Sequence, residues 1–310
     1  MITIKNILDK YSKKLDFLDL ELIIARALGK NREFVLTHLE FSVAKNYKLK
    51  IMNYIKRRID CEPLAYIFKE KEFYGMKFKV NKDVLIPRPE TELIVELAIN
   101  DIKNKVESEE IKNNLLIFDI GTGSGNIIIS IAKELERYGL PVAGYKFYGT
   151  DISKKALKIA NQNAKINKSD KKIKFLEGNL LNPIIRNSKL KIRNSNIIIT
   201  ANLPYLSRKI YNYCQQDIKK YEPKSALISQ KGGLSHYEEL FRQIKSLSIG
   251  HCLPAGEAGS SIDVFLEISP EQKSKMKKLV KKYFPKAKII FHKDLSGRWR
   301  ICQSVISGCG

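Results

Sequence analysis

The sequence is short of three things: acidic side chains, paired cysteines and long apolar runs. No run approaches the roughly 20 apolar residues of a membrane-spanning helix, and the N-terminal stretch MITIKNILDK lacks the apolar core of a secretion signal. The five cysteines are odd in number and none belongs to a CxxC pair, which argues against a disulfide framework and against a zinc site. We therefore expect a protein of the reducing cytoplasm, with no membrane partner and no metal.

The shortage of acidic residues leaves a strong positive charge. The 56 Lys and Arg residues against 33 Asp and Glu residues give a formal net charge of +23, spread along the chain. Such a charge attracts polyanions, so proximity to the ribosome or to RNA is one expectation. A lysine-rich solvated surface would give the same composition, and the charge alone does not choose between the two.

The spacing of apolar residues divides the 310 residues into three regions. Residues 1–72 carry apolar residues at helical spacing, which predicts a small helical domain. Alternation over residues 72–86 predicts a β-hairpin with Asn81-Lys82-Asp83 as its turn. We take residues 73–88 as a hairpin linker and residues 89–310 as the second domain.

The second domain alternates strand and helix patterns. Apolar runs near strand length occupy 115–120, 146–151, 173–178, 196–202, 226–229, 262–268, 287–291 and 298–304. Helical patterns lie at 125–137 and 153–167. This alternation predicts βαβ units and therefore a doubly wound α/β fold, whose mostly parallel sheet is covered by helices on both faces. The close spacing of the last two runs predicts a late antiparallel hairpin.

A glycine-rich loop follows the first of these strands and opens the next helix. The loop and the acid before it comprise Asp119, Gly121, Thr122, Gly123, Ser124 and Gly125. Glycines let a ligand approach the backbone closely, and a helix N-terminus offers free N–H groups. The loop suits a dinucleotide or an S-adenosyl group. Its GxGxG spacing, in place of GxGxxG, weakens the dinucleotide interpretation.

Two later strand ends carry further cofactor candidates. Asp151 ends the second strand, where a carboxylate can accept both hydroxyls of a ribose. The alternative is that Asp151 caps the helix that follows it. Asn179 and Leu180 follow the third strand, where Asn179 can bind the exocyclic amine of an adenine and Leu180 can pack on its ring.

The fourth strand ends in Asn202-Leu203-Pro204-Tyr205, at the edge where ligands bind in open α/β sheets. The Asn202 side-chain oxygen and the Leu203 carbonyl could each accept one N–H of a planar nitrogen. Both bonds would hold the nitrogen facing the cofactor and raise its electron density. Tyr205 could pack against the flat group. The alternative is an ordinary turn between strand and loop.

Together these motifs resemble the class I S-adenosylmethionine-dependent methyltransferases that act on planar nitrogens. Further blocks resemble the release-factor glutamine methyltransferases, the HemK/PrmC family. They are Glu62-Pro63-Leu64-Ala65-Tyr66-Ile67, Glu72-Phe73-Tyr74-Gly75, Leu85-Ile86-Pro87-Arg88-Pro89-Glu90-Thr91-Glu92, Glu222-Pro223-Lys224-Ser225-Ala226-Leu227, Gly232-Gly233-Leu234, and Leu266-Glu267-Ile268 with Gln272. The resemblance covers nearly the whole chain.

The resemblance implies a seven-stranded methyltransferase sheet, an N-terminal domain that recognises the substrate, and S-adenosylmethionine as cofactor. It implies methylation of the side-chain amide of the glutamine in the Gly-Gly-Gln motif of peptide-chain release factors. The loop at 202–205 would bind that glutamine, with Asn202 also beside the cofactor. Arg88, Glu90 and Thr91 would complete the substrate site.

Three features depart from the family pattern. Leu203 replaces a proline of the substrate loop, Asn179 stands where the family commonly has Asp, and the segment 248–261 is longer than the family's turn. A backbone carbonyl survives any substitution, so the pair of acceptors at 202 and 203 persists. The departure at Asn179 bears on cofactor affinity.

The chemistry expected is direct in-line methyl transfer, in which the protein orients the groups and supplies fixed dipoles. No histidine is assigned a catalytic role, whether His38, His236, His251 or His292. An adenine-N6 methyltransferase acting on DNA or RNA would share the loop chemistry but would need a pocket for a flipped base. A non-catalytic RNA- or ribosome-binding relative is the alternative from a different class.

Overall fold

The computed structural model describes residues 2–111, 114–140, 144–187, 195–250 and 261–307. Most of the predicted loop at 248–261, with His251 and Cys252, lies outside the described residues. The helix before that loop runs to Gly250, and the strand after it begins at Ser261.

By spatial contact the chain forms two compact units. The first comprises Met1–Glu70 and Cys214–Glu222, and the second comprises Lys71–Tyr213 and Pro223–Gly310. The sequence pattern assigned all of 89–310 to one domain, and nothing in the composition marks 214–222 as different. The domain limits at 72 and 88 stay a prediction.

The first unit is helical, as predicted. Its helices are α1 (Ile4–Tyr11), α2 (Phe17–Leu28), α3 (Arg32–Thr37), α4 (Lys45–Ile59), α5 (Leu64–Phe68) and α11 (Gln216–Tyr221). Local chemistry sets the boundaries: Gly29 ends α2 in the left-handed conformation, and the Asn31 side chain caps α3 by accepting from the Phe34 N–H. The apolar stripes of α1, α2 and α4 meet in one core, which includes Ile7, Ile24 and Ile55.

The β-hairpin lies earlier than the sequence pattern predicted. Its strands are β1 (Glu70–Phe73) and β2 (Met76–Lys79), so the turn is Tyr74-Gly75 and the prediction of a turn at 81–83 is wrong. Both turn residues have positive φ, 50° at Tyr74 and 67° at Gly75, as a two-residue type I′ hairpin turn requires. Asn81 does form a turn, since its Oδ1 accepts from the Asp83 N–H, but that turn leads toward the next helix.

The second unit contains the seven-stranded sheet, so the predicted fold class is confirmed. The strands are β3 (Leu115–Ile120), β4 (Lys146–Asp151), β5 (Ile173–Glu177), β6 (Asn196–Ala201), β7 (Ser261–Glu267), β8 (Lys288–Lys293) and β9 (Trp299–Ser307). Their order is β5-β4-β3-β6-β7-β9-β8. Neighbours pair in parallel except at β9, which is antiparallel to both β7 and β8. The late antiparallel hairpin is therefore also confirmed.

Helices and short turns connect these strands. The helices are α6 (Glu92–Glu107), α7 (Asn126–Arg137), α8 (Lys154–Ile166), α9 (Asn182–Ile185), α10 (Arg208–Asn212), α12 (Gln230–Gly233), α13 (Ser235–Gly250) and α14 (Lys273–Tyr283). The predicted strand at 226–229 is wrong: a 3-10 turn covers Lys224–Ala226, and only an isolated bridge joins Ile228 to Leu206. Three apolar residues in a row were too few to separate a strand from a buried turn.

Apolar side chains cover both faces of the sheet. Along β3, Leu116, Phe118 and Ile120 join one core while Leu115 and Ile117 join the other. This alternation between two buried faces explains why the central strands are continuous apolar runs. Among the described residues, no helix combines the length and the apolar character needed to span a membrane.

Candidate active site

The carboxyl ends of β3, β4, β5 and β6 border one open cavity, as parallel strands of one sheet do. Its empty volume is about 1110 Å³. The predicted site residues that line it are Arg88, Thr91, Gly121, Thr122, Gly123, Ser124, Asp151, Asn179, Leu180, Asn202, Leu203 and Pro204. Asp119, Gly125, Tyr205 and Glu90 lie outside the lining. Four separate strand ends therefore bring the proposed cofactor and substrate motifs to the same space.

The glycine-rich loop needs its glycine at the first position. Gly121 has φ of 69°, a left-handed conformation that side chains disfavour. A Cβ on Gly121 would also lie 2.9 Å from Cδ2 of Leu203, closer than real Cβ contacts come. The glycine thus keeps the loop open and lets it pack against the substrate loop.

Asp119 holds the glycine-rich loop by hydrogen bonding. Its carboxylate is fully buried and accepts hydrogen bonds from Oγ1 of Thr122 at 2.6 Å and from Oγ1 of Thr200 at 3.0 Å. Burial raises the pKa of Asp119 to about 6, and the two hydroxyl donors oppose that rise. The residue therefore orders the loop and does not itself line the cavity.

Asp151 lies at the end of β4, on the cavity wall. Oδ2 accepts from the Gly123 N–H at 2.9 Å, and Oδ1 accepts from the Ser153 N–H at 2.8 Å. Burial raises the pKa of Asp151, while these backbone donors oppose the rise. The cap of α8 is Ser153, whose hydroxyl accepts from the Ala156 N–H, so the alternative that Asp151 is the cap is wrong.

The substrate loop is held by polar contacts on several sides. Nδ2 of Asn202 donates to Oγ1 of Thr91 at 3.1 Å. The Tyr205 hydroxyl donates to Oε1 of Glu267 at 3.0 Å, so this ring serves the support of the loop. The Tyr205 carbonyl accepts from Nε2 of Gln272 at 3.0 Å. Burial raises the pKa of Glu267, whereas the hydroxyls of Thr91 and Tyr205 lower it.

Two residues of this region were not predicted as site residues. His236 lines the cavity, and its Nδ1 lies 2.9 Å from Oγ of Ser229. Burial lowers the pKa of His236, although a hydrogen bond to the Pro204 backbone opposes the change. Glu267 is 1% exposed and lies beneath the substrate loop. His236 follows neither a glycine-rich loop nor a strand end, so only the packing of α13 reveals it. Glu267 ends β7, but its place beside the substrate loop is shown only by the tertiary structure.

The residues present fit an S-adenosyl group. Gly121 and Gly123 leave exposed backbone at the end of β3. Asp151 offers a carboxylate for ribose hydroxyls, and Ile127 and Leu180 supply apolar wall for a flat ring.

Two family models match this chain, one in its N-terminal part and one in the rest. A model described as a methyltransferase domain matches residues 111–282, and a model described as the PrmC N-terminal domain matches residues 4–68. A release factor glutamine methyltransferase of Dictyoglomus turgidum is 31% identical over 98% of this chain and 96% of its own length. The enzyme of that name from Mycoplasma mycoides is 33% identical over 96% of both chains.

The chain belongs to the release factor glutamine methyltransferase family. The relative of that name from Bacillus subtilis, 30% identical over 92% of this chain and 90% of its own, agrees. The protein is thus a class I methyltransferase whose cofactor is S-adenosylmethionine.

Solved structures show the fold of the family beyond close relatives. The catalytic domain of human METTL16 matches with a TM-score of 0.52 at 13% identity, covering 78% of this chain and 79% of the other. The N-terminal domain of human METTL16 in complex with SAH matches with a TM-score of 0.50 at 14% identity, covering 96% of both chains. Such low identity supports the fold alone.

Proposed function

We propose that this protein transfers a methyl group from S-adenosylmethionine to the side-chain amide nitrogen of the glutamine in the Gly-Gly-Gln motif of peptide-chain release factors. One observation carries the proposal. The glycine-rich loop, Asp151 and the Asn202-Leu203 pair, which come from three different strand ends, line one cavity. The names of the relatives support the choice of substrate.

The substrate loop does the positioning. Oδ1 of Asn202 and the carbonyl of Leu203 each accept one N–H of the amide, which fixes its plane and raises the electron density on its nitrogen. S-adenosylmethionine, when bound, supplies an electrophilic methyl group on sulfur. Because the loop only orients and polarises, the chain needs no nucleophile of its own. The nitrogen loses one proton to water as the methyl group attaches, because methylation makes the N–H strongly acidic, and we assign no general base.

Leu203 retains the required carbonyl. Its oxygen lies 3.3 Å from the Tyr237 hydroxyl oxygen, but that hydroxyl contacts the Glu267 backbone carbonyl more closely. A tyrosine hydroxyl carries one proton, so the closer carbonyl receives it. The Leu203 oxygen keeps its lone pairs for the substrate amide.

Parallel incubation with labelled methyl donor tests the assignment. Release factor, DNA and RNA are offered separately, and only the release factor should take up label. Asn202→Ala should lower turnover by about 100-fold or more, because one oriented acceptor is lost, while cofactor binding persists. Asn104→Ala, which removes an exposed amide from α6, is the matched control. Label in nucleic acid, or normal turnover of Asn202→Ala, would contradict the proposal.

We also propose that the first unit recognises the release factor. Of the thirteen large apolar side chains that stand exposed in the described chain, eight belong to this unit: Phe17, Leu18, Leu36, Leu39, Phe41, Tyr47, Leu49 and Ile59. Exposed apolar side chains concentrated in one part of a protein are typical of an interaction surface.

Proximity to RNA is a further proposal, and it rests on α14. Residues 273–293 contain nine lysines and no acidic residue. Met276 and Val280 of α14 are buried, which turns the lysines outward. The exposed lysines of this helix are Lys275, Lys277, Lys278, Lys281 and Lys282. A phosphate backbone is the partner that such a surface fits. The cytoplasmic location stays our prediction from cysteine usage.

A further inference from the structure

A buried carboxylate lies one hydroxyl away from the substrate loop. Glu267 at the end of β7 is 1% exposed, and Thr91 is 2% exposed. Oγ1 of Thr91 lies 2.6 Å from Oε2 of Glu267, and Nδ2 of Asn202 lies 3.1 Å from Oγ1 of Thr91. The three side chains form a continuous chain of hydrogen bonds from the core to the cavity wall.

The direction of these hydrogen bonds follows from the number of protons. A threonine hydroxyl has one proton, and an ionised carboxylate can only accept. The proton of Thr91 therefore points to Glu267, and Thr91 can offer only a lone pair to Asn202. The atom of Asn202 that faces Thr91 must then be the donor Nδ2, which leaves Oδ1 at the other end of the planar amide.

Burial raises the pKa of Glu267, but the hydrogen bonds around the carboxylate suit its ionised, accepting form. Each carboxylate oxygen faces a hydroxyl donor, since Tyr205 donates to Oε1 at 3.0 Å. The guanidinium of Arg300 adds a favourable positive charge, against the repulsion of Glu90. A carboxylate that accepts two hydroxyl protons is an acceptor at both ends, so it sets the direction of the whole chain.

We infer that Glu267, acting through Thr91, is a positioning residue that holds the Asn202 amide with Oδ1 presented to the substrate nitrogen. This inference rests on the proposed function. With the amide flipped, an N–H of Asn202 would face an N–H of the substrate, and the acceptor would be lost. An amide that rotated freely would not be oriented before the substrate binds. The chain of hydrogen bonds fixes its orientation in the folded protein.

Substitutions at Thr91 test the inference most directly. Thr91→Val keeps the shape but removes the hydroxyl, and we expect kcat for release factor methylation to fall roughly 10- to 100-fold. The dissociation constant for S-adenosylmethionine should not change. Thr91→Ser restores the hydroxyl and should restore turnover. Glu267→Gln places one oxygen and one NH₂ against the two hydroxyls of Thr91 and Tyr205. The Thr91 hydroxyl can then donate or accept, so we expect a loss of kcat smaller than that of Thr91→Val.

A double-mutant cycle separates positioning from general support of the fold. In an Asn202→Ala background Thr91→Val should have no further effect on kcat, because the group that it positions is gone. Equal losses in both backgrounds, or full turnover of Thr91→Val, would overturn the inference. Failure of the wild-type protein to methylate a release factor would instead overturn the proposed function, so the two outcomes are distinct.

Discussion

The contact between Gly233 and the substrate loop gives a sharp prediction. Gly233 has φ of 90°, and an ideal Cβ there would lie 2.8 Å from the carbonyl carbon of Tyr205 and nearer still to its oxygen. Nε2 of Gln272, which holds the same carbonyl, would also be too close. Gly233→Ala should therefore displace the end of the Asn202–Tyr205 loop.

The size of the effect can be worked out from this geometry. Real Cβ atoms essentially never come within 3.0 Å of another heavy atom, so the Tyr205 carbonyl must move by about 1 Å. A displacement of that size in positioning groups lowers turnover about 100-fold. The left-handed conformation costs about 1–2 kcal/mol for alanine, and overpacking costs about 1–3 kcal/mol more. The total loss in the free energy of unfolding is then about 2–5 kcal/mol.

The neighbouring glycine is the matched control. Gly232 has φ of 68°, but a Cβ there would meet only Nζ of Lys275, at 3.9 Å. Gly232→Ala should lose only the conformational part, about 1–2 kcal/mol, and keep near-normal kcat. Urea unfolding and single-turnover methylation of a release factor measure both quantities. Equal turnover of the two variants would refute the argument that the backbone contact at Gly233 places the loop.

Three further predictions concern charge and recognition. The pKa of Asp119 is raised by burial to about 6, so its stabilising contribution is present below about pH 4 and is lost as pH rises through about 6. Between about pH 4 and pH 6 the wild-type protein should lose about 3 kcal/mol of unfolding free energy relative to Asp119→Asn, as measured by urea unfolding at each pH. If the free energy of unfolding changed with pH in the same way for both proteins, the prediction would be wrong. Leu49, 64% exposed on α4, should contact the release factor, so Leu49→Ser should raise KM about 10-fold with kcat unchanged; an unchanged KM would count against the recognition role. Lys278→Glu should weaken RNA binding and lower the slope of log binding constant against log salt concentration by about 1. Lys13→Glu in the first unit is the control and should change neither; equal effects of the two variants would mean that only the total charge matters.

The order of strands and helices could be predicted from the sequence because burial on both faces makes a parallel strand a continuous apolar run. The run at 115–120 and the helix pattern at 125–137 match β3 and α7 to within one residue. Short segments were less well determined. The hairpin turn at Tyr74-Gly75 was missed because Asn81-Lys82-Asp83 carries an equally strong turn composition, and only strand pairing shows which turn joins β1 to β2.

The sequence by itself determined which residue types end the strands: the glycines after β3, Asp151 after β4 and Asn202 after β6. Adjacent parallel strands must bring those ends to one edge, so their meeting follows from the fold class. Only the tertiary structure decided which buried side chains hydrogen-bond to these strand-end residues. Glu267 is 65 residues beyond Asn202 (267 − 202). Thr91 lies before β3, the first strand of the seven-stranded sheet, yet hydrogen bonds join all three residues. No local pattern encodes such a contact, because the direction of a buried hydrogen bond depends on which donors and acceptors packing brings together.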